Sequence, residues 1–331
     1  MNLVTGATGH IGNVLVRQLT AMGEKVRTLV LPGEDETPLK NLDVEIVEGD
    51  VLDYPSLLTA FNGIDTIFHL AGMISILPDK NPMVQTVNVN GTRNVLLAAR
   101  QAGAGRLVYT SSIHALRRIP HGTTIDETLP FDPKNAISTY DRSKAQASLE
   151  VIRAISDGMD AVICCPTGVI GPYDFRGSEM GALIHDLALC KLMLYIDGAY
   201  DFVDVRDVAK GLILARDKGV MGESYILSGE RISVIEVVKT VQEIIGKYIP
   251  RLKIPLSLAR FTSRFTPLYY QLSQAKPRFT SYSLETILSN SVISSAKAKL
   301  ALGYNPRSLR ESLTDTVHWF LQERSHLPES P

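Results

Sequence analysis

Short apolar runs alternate with amphipathic stretches along the first half of the chain. The apolar runs are predicted to be strands, and they span Asn2–Thr5, Lys25–Leu31, Val44–Val47, Thr66–Leu70 and Arg106–Thr110. Apolar residues recur at helical spacing in Ile11–Met22 and Val87–Gln101, and a glycine closes each of these stretches. A strand, a helix and another strand, repeated in this way, require crossover connections. The pattern therefore predicts an α/β fold whose parallel sheet is covered by helices on both faces.

The same alternation continues into the second half of the chain and then weakens. A helix is predicted over Tyr140–Ser156 and a buried strand over Ala161–Cys165. Beyond Gly171 the pattern is looser, although Asp204–Ala215 has the spacing of a helix and Glu223–Leu227 that of a strand. We expect this last pair to return to the main sheet. The chain has 331 residues, and at roughly 150 residues per domain this length predicts about two domains.

Composition and charge favour a folded protein that acts on small molecules. Apolar residues make up 45% of the chain and charged residues 21%, as in domains with a substantial core. The 34 basic and 35 acidic residues leave a net charge of −1. Because binding to nucleic acid depends on neutralising phosphates, this balance argues against a nucleic-acid partner.

The cysteines and the apolar runs bear on the compartment. Cys164, Cys165 and Cys190 are too few for a disulfide framework and lack the spacing of metal ligands. We therefore expect a reducing compartment and no metal site. The first residues lack a cationic region followed by a long apolar stretch, and no run of about 18 apolar residues occurs without a charge. The sequence predicts a cytoplasmic protein without a membrane span.

The segment from Lys247 to Ser283 has a different character, since it contains seven basic residues and no acidic one. One interpretation is a cationic, aromatic surface for a membrane or an anionic substrate. The other is a helical lid whose basic side faces solvent. Pro255, Pro267 and Pro277 interrupt any sustained amphipathic helix, which favours the lid.

The most informative motif joins the first strand to the first helix, and it runs Thr5-Gly6-Ala7-Thr8-Gly9-His10-Ile11-Gly12. The first glycine permits a tight turn, the second lets the backbone approach a pyrophosphate, and the third allows close packing of helix on strand. The N-terminus of the following helix favours negative charge. The spacing Gly-x-x-Gly-x-x-Gly differs from the Gly-x-Gly-x-x-Gly of lactate-type dehydrogenases. The predicted contacts to a dinucleotide are Gly6, Thr8, Gly9, His10, Ile11 and Gly12.

Tyr140 and Lys144 lie four residues apart on a predicted helix, so they share one face. A phenol with its ordinary pKa of about 10 is a poor acid or base at neutral pH. A neighbouring ammonium favours the phenolate and is expected to lower the pKa of Tyr140. Taken alone, the motif would be explained more simply as a Tyr–Lys pair on the surface of a helix, without a catalytic role.

Two hydroxyls, Ser111 and Ser112, follow the strand Arg106–Thr110, at the strand ends where open α/β sheets bind ligands. A hydroxyl at this place can hydrogen-bond a carbonyl on which negative charge develops. A simpler explanation, without any catalytic role, is that the paired serines are there because serine is common in turns, where its hydroxyl bonds nearby backbone groups. His114, two residues further, would contact a substrate hydroxyl or relay a proton, but a histidine satisfied by backbone groups is favoured.

With the three motifs in this order, the chain resembles the extended short-chain dehydrogenases/reductases, which include the NAD-dependent epimerases and dehydratases. Further matching segments are Gly49–Asp53, His69–Gly72, Asn88–Thr92, Cys165–Pro172 and Phe202–Ala209. The resemblance implies a Rossmann-type doubly wound parallel sheet with a smaller C-terminal substrate domain. It implies a dinucleotide-binding domain of residues 1–170, to which residues 201–229 return, and a substrate-binding domain of residues 171–200 and 230–331.

The resemblance also assigns roles to single residues. Tyr140 would be the acid/base, Lys144 would bind the nicotinamide ribose and tune that tyrosine, and Ser112 would orient the carbonyl, with Ser111 as the alternative. Asp50 and Val51 would hold the adenine, Leu70 to Gly72 would line the middle of the cofactor, and Pro166 to Val169 would lie beside the nicotinamide. The expected cofactor contacts outside the glycine loop are Leu31, Asp50, Val51, Leu70, Ala71, Gly72, Asn88, Thr110, Tyr140, Lys144, Pro166, Thr167, Gly168 and Val169.

The branch of the family is inferred from what is missing. Ile113 and His114 follow the serine pair, where epimerases tend to show Tyr-Gly soon after and 4,6-dehydratases place Asp-Glu. No Arg-Pro-Gly-Asp-like segment for a sugar diphosphate occurs in the C-terminal region. What remains resembles the dihydroflavonol-reductase and 3β-hydroxysteroid-dehydrogenase-like branch, which implies a ketone reductase. A nucleotide-sugar 4-epimerase and a non-catalytic dinucleotide-sensing regulator stay open as alternatives.

The cofactor is expected to be NAD(P), with a slight preference for NADP. NAD-specific proteins place an acidic residue at the end of the second strand, and NADP-specific ones an arginine. Here Val30 and Leu31 occupy those positions, so weak discrimination is predicted. The other expected partner is a small-molecule carbonyl or alcohol. The resemblance implies a homodimer that pairs through helices at Thr92–Gln101 and Tyr140–Ser156.

Overall fold

The computed structural model describes residues 1–75, 82–135, 137–263 and 280–323. A seven-stranded sheet lies at its centre, and two smaller sheets contain the other strands. All strands of the described residues, in chain order, are β1 (Asn2–Thr5), β2 (Val26–Val30), β3 (Glu45–Glu48), β4 (Thr66–His69), β5 (Arg106–Thr110), β6 (Ala161–Pro166), β7 (Gly168–Ile170), β8 (Met193–Tyr195), β9 (Ala199–Asp204), β10 (Ser224–Leu227), β11 (Glu230–Ser233) and β12 (Arg251–Lys253).

Seven of these strands pair in parallel, in the order β10-β6-β5-β4-β1-β2-β3. The direction of winding reverses between β1 and β4, and such a switch point is where open α/β sheets bind ligands. The predicted strands are confirmed, and their bounds differ from the prediction by one residue at most. The Rossmann-type doubly wound fold expected from the sequence is therefore confirmed.

Helices cover both faces of the sheet. They are α1 (His10–Ala21), α2 (Tyr54–Ala60), α3 (Pro82–Gln85), α4 (Thr92–Ala102), α5 (Thr139–Ser156), α6 (Glu179–Ala188), α7 (Val205–Lys218), α8 (Val234–Ile245), α9 (Leu256–Ser263), α10 (Ser281–Ile287), α11 (Ala296–Leu302) and α12 (Leu309–Glu323). No helix in the described ranges combines the length and the apolar character that crossing a bilayer requires.

Alternate residues of each central strand enter two separate cores, as the period of a strand dictates. In β6, Val162 and Cys164 pack against α1 and α7, whereas Ile163 and Cys165 pack on the opposite face with α2, α4 and α5. All four side chains are buried, and both cysteines are free thiols. The adjacent cysteine pair therefore fills both layers of the core, as the composition of the strand predicts.

Two predicted helix starts need correction. Residues 86–91 form one wide π-helical turn, and the regular helix α4 begins only at Thr92, five residues later than predicted. Asp204 precedes α7 rather than opening it, because its side chain accepts a hydrogen bond from the backbone N–H of Arg206 at 2.8 Å. A side-chain acceptor at this position satisfies an N–H group that the helix itself leaves unpaired.

The later strands and helices form a third apolar cluster, beside the sheet. Strands β11, β9 and β7 make a three-stranded sheet, and β12 pairs with β8. Helices α6, α8 and α12 pack around Ile184, Val238 and Val317, all of which are fully buried. The proposed division into a dinucleotide-binding and a substrate-binding domain stays a prediction.

An ion pair ties the C-terminal segment to α7. Arg307 donates to both carboxylate oxygens of the buried Asp207, at 3.0 and 3.1 Å, and its backbone N–H donates to the same carboxylate at 2.8 Å. Asp204 lies nearby, 3.8 Å from the Arg307 guanidinium. Two parallel, charge-assisted hydrogen bonds between a guanidinium and a carboxylate are among the strongest hydrogen-bonded contacts in proteins.

Parts of two predicted regions lie outside the described residues. The basic segment is described up to Ser263 and again from Thr280, and its first part contains strand β12 as well as helix α9. That part is therefore not wholly helical, as a simple lid would be. The residues between these limits, and residues 76–81 of the loop after Met73, are outside the described ranges.

Candidate active site

The glycine loop between β1 and α1 lies at the switch point of the sheet. Gly6 has φ of +69°, and a Cβ there would stand 2.7 Å from the backbone nitrogen of Ala71. A Cβ on Gly12 would stand 2.1 Å from the carbonyl oxygen of Gly6. Both positions therefore require glycine, as the motif predicts. A Cβ on Gly9 would make one tight contact, with the Gly6 carbonyl oxygen at 3.2 Å, and would meet no other atom within 4 Å, so the rest of its surroundings is open.

A buried chain of hydrogen bonds fixes the ends of β1 and β4 beside this loop. The His69 ring lies 2.8 Å from the Thr5 hydroxyl and 2.9 Å from the Thr92 hydroxyl, which itself donates to the Asn88 carbonyl. Thr5 also accepts from the backbone N–H of Ala71 at 3.1 Å. The network assigns the ring proton to Nε2, so His69 is neutral. Burial lowers the pKa of His69 to about 3, in agreement with this structural role.

Asn88, a predicted cofactor contact, holds the loop after β4. Its side-chain oxygen accepts from the Met73 N–H at 2.7 Å, and its side-chain nitrogen donates to the Met73 carbonyl at 3.0 Å. The same nitrogen donates to the Ser143 hydroxyl of α5 at 2.8 Å. A Cβ on Gly72 would stand 3.4 Å from the Lys144 nitrogen. Asn88 thus brings the loop that contains Gly72 against the helix that carries Tyr140 and Lys144.

The two serines after β5 have different partners. Ser111 Oγ lies 2.7 Å from Ser148 Oγ, and Ser148 in turn donates to the Lys144 carbonyl, so the Ser111 hydroxyl is engaged with α5. Ser112 accepts from the His114 N–H at 3.2 Å, and its hydroxyl lies near enough to the Tyr140 phenol to lower the pKa of that phenol. Of the two candidates for the carbonyl-orienting group, Ser112 is the one that adjoins Tyr140.

Tyr140 lies in the first turn of α5, which Ser138 caps by accepting its backbone N–H at 3.0 Å. Burial raises the pKa of the Tyr140 phenol to about 12, and the nearby Ser112 hydroxyl opposes that rise. Lys144 is not among the groups that shift it. The expectation that Lys144 lowers the pKa of Tyr140 is therefore wrong for this structure, where burial and the nearby Asp141 carboxylate raise that pKa.

Lys144 is buried, and its ammonium donates to the Thr110 carbonyl at 2.8 Å. Burial lowers the pKa of Lys144 to about 8. The Thr110 hydroxyl is buried too, and it has no hydrogen-bond partner among the described residues. An unsatisfied buried hydroxyl carries a free-energy cost unless a ligand provides its partner. Together with the open face of Gly9, it makes the site fit for a dinucleotide.

The remaining predicted contacts lie around the same edge of the sheet. Asp50 and Val51 follow β3, where the Asp50 carboxylate accepts from the Leu52 N–H at 2.9 Å. Pro166 ends β6, and the Thr167 hydroxyl donates to the buried Asp201 carboxylate at 2.7 Å. The predicted contacts Leu70, Ala71, Gly168 and Val169 belong to the segments after β4 and β6.

The structure explains His114 in a way that the sequence did not indicate. Its ring lies 2.8 Å from the Tyr200 hydroxyl and stacks on the Tyr200 ring, with centroids 5.8 Å apart. A side chain therefore satisfies it, not the backbone groups that were favoured. Burial lowers the pKa of His114. Beside it, the buried Asp141 carboxylate accepts from the Tyr282 hydroxyl at 2.8 Å and pairs with Arg118 at 3.4 Å.

A second group that sequence reasoning missed lies at the end of β2. The sequence points to Val30 and Leu31 as the cofactor-selecting positions, but a charged pair, Glu34 and Arg176, lies beside Leu31. Glu34 accepts from the Leu31 N–H at 3.2 Å and forms an ion pair with Arg176. Arg176 also donates to the Thr8 hydroxyl of the glycine loop at 2.6 Å. The signal for Glu34 was its position, 22 residues after Gly12 (34 − 12 = 22). Arg176 has no such local signal.

In the described ranges, no three His, Cys, Asp or Glu side chains are grouped so that they could hold a metal ion.

Known proteins resemble this chain over nearly its whole length. Residues 2–228 match the model of the NAD dependent epimerase/dehydratase family. The chain is 36% identical over 328 residues to Sterol demethylase protein B of Methylococcus capsulatus, covering 96% of this chain and 97% of that protein. It is 32% identical over 329 residues to a Synechocystis protein provisionally named dihydroflavonol 4-reductase, covering 96% and 93%. The crystal structure of gox2253 superimposes with a TM-score of 0.85 at 34% identity, covering 98% of each chain.

Proposed function

The chain belongs to the NAD dependent epimerase/dehydratase family, and we propose that it is a ketone reductase similar to dihydroflavonol reductases. It would transfer a hydride between a nicotinamide dinucleotide and a carbonyl or secondary-alcohol substrate. The coarser part of this statement follows from the family: the protein is an enzyme of the extended short-chain dehydrogenase/reductase type.

The observation that carries the proposal is the arrangement of Ser112, Tyr140 and Lys144 at the end of β5. The Ser112 hydroxyl adjoins the Tyr140 phenol and lowers its pKa, and Lys144 lies one turn further along the same helix, next to Gly72 and Thr110. Two hydroxyls that adjoin each other can both hydrogen-bond one carbonyl oxygen.

When bound, the nicotinamide ring supplies or accepts the hydride. The residues of the chain handle the proton. In the direction of reduction, Ser112 donates a hydrogen bond to the substrate oxygen, and Tyr140 transfers its phenolic proton to that oxygen as it becomes the alcohol. Because the pKa of Tyr140 is about 12, the phenol carries its proton at neutral pH, as a donor must. Lys144, one turn further along α5, would bind the nicotinamide ribose.

Elimination of water needs a second acid–base pair next to the substrate, and the residues after Ser112 do not supply one. Ile113 is apolar and buried, and the ring of His114 is engaged with the Tyr200 hydroxyl. These contacts support simple hydride transfer over dehydration.

The groups that would hold the cofactor are the glycine loop, the Thr110 hydroxyl and Lys144. Gly9 leaves room for the pyrophosphate at the N-terminus of α1, where N–H groups favour negative charge. The Thr110 hydroxyl would gain the partner that it lacks among described residues, and Lys144 would reach the nicotinamide ribose. We propose NAD(P) as the cofactor, with a slight preference for NADP. The homodimer and the cytoplasmic location stay predictions.

The proposal is tested by following NADH and NADPH oxidation with a panel of flavanonols, 3-ketosteroids and simple aromatic ketones. The same panel with Tyr140→Phe shows whether turnover depends on the proposed donor. Thermal unfolding with each cofactor and with UDP-glucose identifies the ligands that bind the folded state, since such ligands raise the melting temperature.

Ketone-dependent oxidation of either cofactor that is lost in Tyr140→Phe is the expected result. Stabilisation by UDP-sugars and their interconversion without net cofactor consumption would instead establish a 4-epimerase. Cofactor binding without turnover of any of these substrates would contradict a ketone reductase and favour a dinucleotide-sensing regulator.

A further inference from the structure

We propose that Glu34 and Arg176 together set the choice between NAD(H) and NADP(H), with Glu34 binding the adenosine ribose and Arg176 binding the 2′-phosphate. The inference rests on the proposed dinucleotide binding. It assigns the 2′-phosphate to an arginine from the loop after β7, not to a residue at the end of β2.

Glu34 has the position of a ribose-binding carboxylate. In Rossmann folds an acidic residue about 20 residues beyond the glycine loop accepts hydrogen bonds from the adenosine ribose. Glu34 lies on the loop that follows β2, and its Oε2 accepts from the Leu31 N–H at 3.2 Å. That bond holds the carboxylate at the strand end, where the side chain is only 17% exposed. A carboxylate oxygen has a second lone pair with which to accept a ribose hydroxyl.

Arg176 reaches the same place from the other side. Its guanidinium pairs with Oε1 of Glu34 and donates to the Thr8 hydroxyl at 2.6 Å. Thr8 belongs to the glycine loop, so the arginine spans the gap between the pyrophosphate site and the end of β2. Its side chain is 51% exposed, and its planar donors suit a phosphate.

The loop that carries Arg176 is anchored to α1 at several points. The His10 ring lies 3.0 Å from the Pro172 carbonyl, and the Asn13 side chain donates to the Tyr173 carbonyl at 3.1 Å. The Arg17 guanidinium lies over the Tyr173 ring, 4.7 Å from its centroid. On its other side, the Phe175 ring packs edge-on against Trp319 of α12, with centroids 5.3 Å apart. These contacts keep the guanidinium within reach of the ribose site.

The pair accounts chemically for binding of both cofactors. An unpaired carboxylate accepts the ribose hydroxyls of NAD(H) and repels the 2′-phosphate of NADP(H). The Arg176 guanidinium neutralises Glu34 and offers charge-assisted hydrogen bonds to a phosphate. The sequence alone predicts weak discrimination, because neither an acidic residue nor an arginine occupies the end of β2. The structure also predicts weak discrimination between NAD(H) and NADP(H), but for a different reason: a carboxylate and a guanidinium are both present, and they form an ion pair.

The alternative interpretation is purely structural: the ion pair would only hold the loop after β7 against the end of β2. A tether would affect both cofactors equally, whereas a selecting pair changes the ratio of their affinities. The decisive quantity is therefore the ratio of the dissociation constants for NADH and NADPH, measured by titration calorimetry. Adenosine 2′,5′-bisphosphate and AMP serve as probes that lack the nicotinamide and do not depend on catalysis.

Three variants are compared with the native protein: Arg176→Met, Glu34→Gln and the double variant. We expect Arg176→Met to shift the ratio at least about tenfold against NADPH, the size of one charge-assisted contact. Glu34→Gln should shift it several-fold toward NADPH, because it removes a repelling charge and frees the arginine for phosphate. The bisphosphate and AMP should follow the same order.

The matched control is Arg93→Met. The Arg93–Glu150 pair has nearly the same exposure, 49% and 15%, and lies on α4 and α5. It should leave the ratio unchanged. Equal weakening of both cofactors by Arg176→Met, or an unchanged ratio in Arg176→Met and Glu34→Gln, would overturn the inference while the proposed reductase stands. Failure of the native protein to bind either cofactor would instead refute the proposed function and the inference with it.

Discussion

The Lys144 ammonium lies 2.8 Å from the carbonyl oxygen of Thr110, at the C-terminal end of β5. The contact joins the helix of the proposed proton donor to the strand end that precedes Ser112. It also places a positive charge in a buried position, where desolvation disfavours the charged form and lowers the pKa of Lys144 from 10.5 to about 8.

This lowered pKa predicts how stability depends on pH. Between about pH 8 and pH 10.5 the unfolded chain keeps the Lys144 proton, whereas the folded protein has released it. The free energy of unfolding therefore rises with pH in this window, by an amount on the order of 3 kcal/mol. Lys144→Met should lack this rise. Urea unfolding of both proteins at pH 7, 8, 9 and 10 gives the difference, and a difference that stays constant with pH would contradict a lowered pKa.

Tyr140→Phe should lower the rate of carbonyl reduction about 10²–10⁴-fold, because it removes only the proton donor. The cofactor dissociation constant should change little. Steady-state kinetics and calorimetric titration measure the two effects separately. Tyr54→Phe is the control, since the Tyr54 hydroxyl donates to Gln101 on the surface at 2.6 Å. Near-native turnover of Tyr140→Phe would refute the assignment of the acid.

Gly9→Val should abolish dinucleotide binding while the protein keeps its fold. The backbone of Gly9 has an ordinary φ of −71°, and its Cβ would approach only the Gly6 carbonyl oxygen, at 3.2 Å. The added methyl groups would project into the space proposed for the pyrophosphate. Calorimetry with NADPH and a thermal unfolding curve test both halves of this prediction. Unchanged affinity would refute the proposed phosphate loop.

Gly12→Ala is the contrasting variant. Its Cβ would stand 2.1 Å from the Gly6 carbonyl oxygen, which is backbone and cannot yield without moving the loop. Overpacking of this kind typically costs about 1–3 kcal/mol. The melting temperature should therefore fall in Gly12→Ala and stay nearly unchanged in Gly9→Val.

Arg307→Met should lower the free energy of unfolding by about 3 kcal/mol, because it leaves the buried Asp207 carboxylate without its two-pronged partner. Urea unfolding measures the loss. The control is Arg310→Met, whose ion pair with Glu243 is exposed on both sides, at 63% and 59%. Exposed pairs contribute about 0–1 kcal/mol, so the control should differ little from the native protein. Equal effects of the two variants would contradict the role given to Arg307.

Leu31→Arg should strengthen NADP(H) binding by roughly 1–3 kcal/mol, the size of a charge-assisted hydrogen bond, with little effect on NAD(H). Leu31 directly follows β2 and is 45% exposed, so a longer side chain has room. The gain should be largest in the Arg176→Met background, where the new arginine replaces the lost one. No gain in either background would show that residue 31 does not face the 2′-phosphate.

Local patterns were sufficient to predict the sheet and the outline of the candidate site. Continuous apolar runs predict the buried strands β5 and β6, and the glycine loop and Tyr140–Lys144 depend on short spacings within one turn or one helix. The family resemblance favours Ser112 over Ser111, but the sequence has no signal for the contact of the Ser111 hydroxyl with Ser148 across the packing of α5. The wide turn before Thr92 has no local signal either.

Contacts between distant parts of the chain were beyond the reach of the sequence. Arg176 and Glu34 are 142 residues apart in the sequence, and neither segment contains a pattern that predicts their contact. The sequence favours backbone groups as the hydrogen-bond partners of the His114 ring, but the ring bonds the hydroxyl of Tyr200 on β9. In both cases the pairing follows from how the later strands and loops return to the sheet, which spacing rules do not describe.

Trp319 is the only tryptophan in the chain, and its ring touches the aromatic residue that directly precedes Arg176. The protein therefore has a built-in fluorophore at the base of the loop proposed to recognise the 2′-phosphate. Any shift of that loop would alter the indole's surroundings, so its emission can report, without an added label, whether the two nicotinamide cofactors leave the loop in the same position.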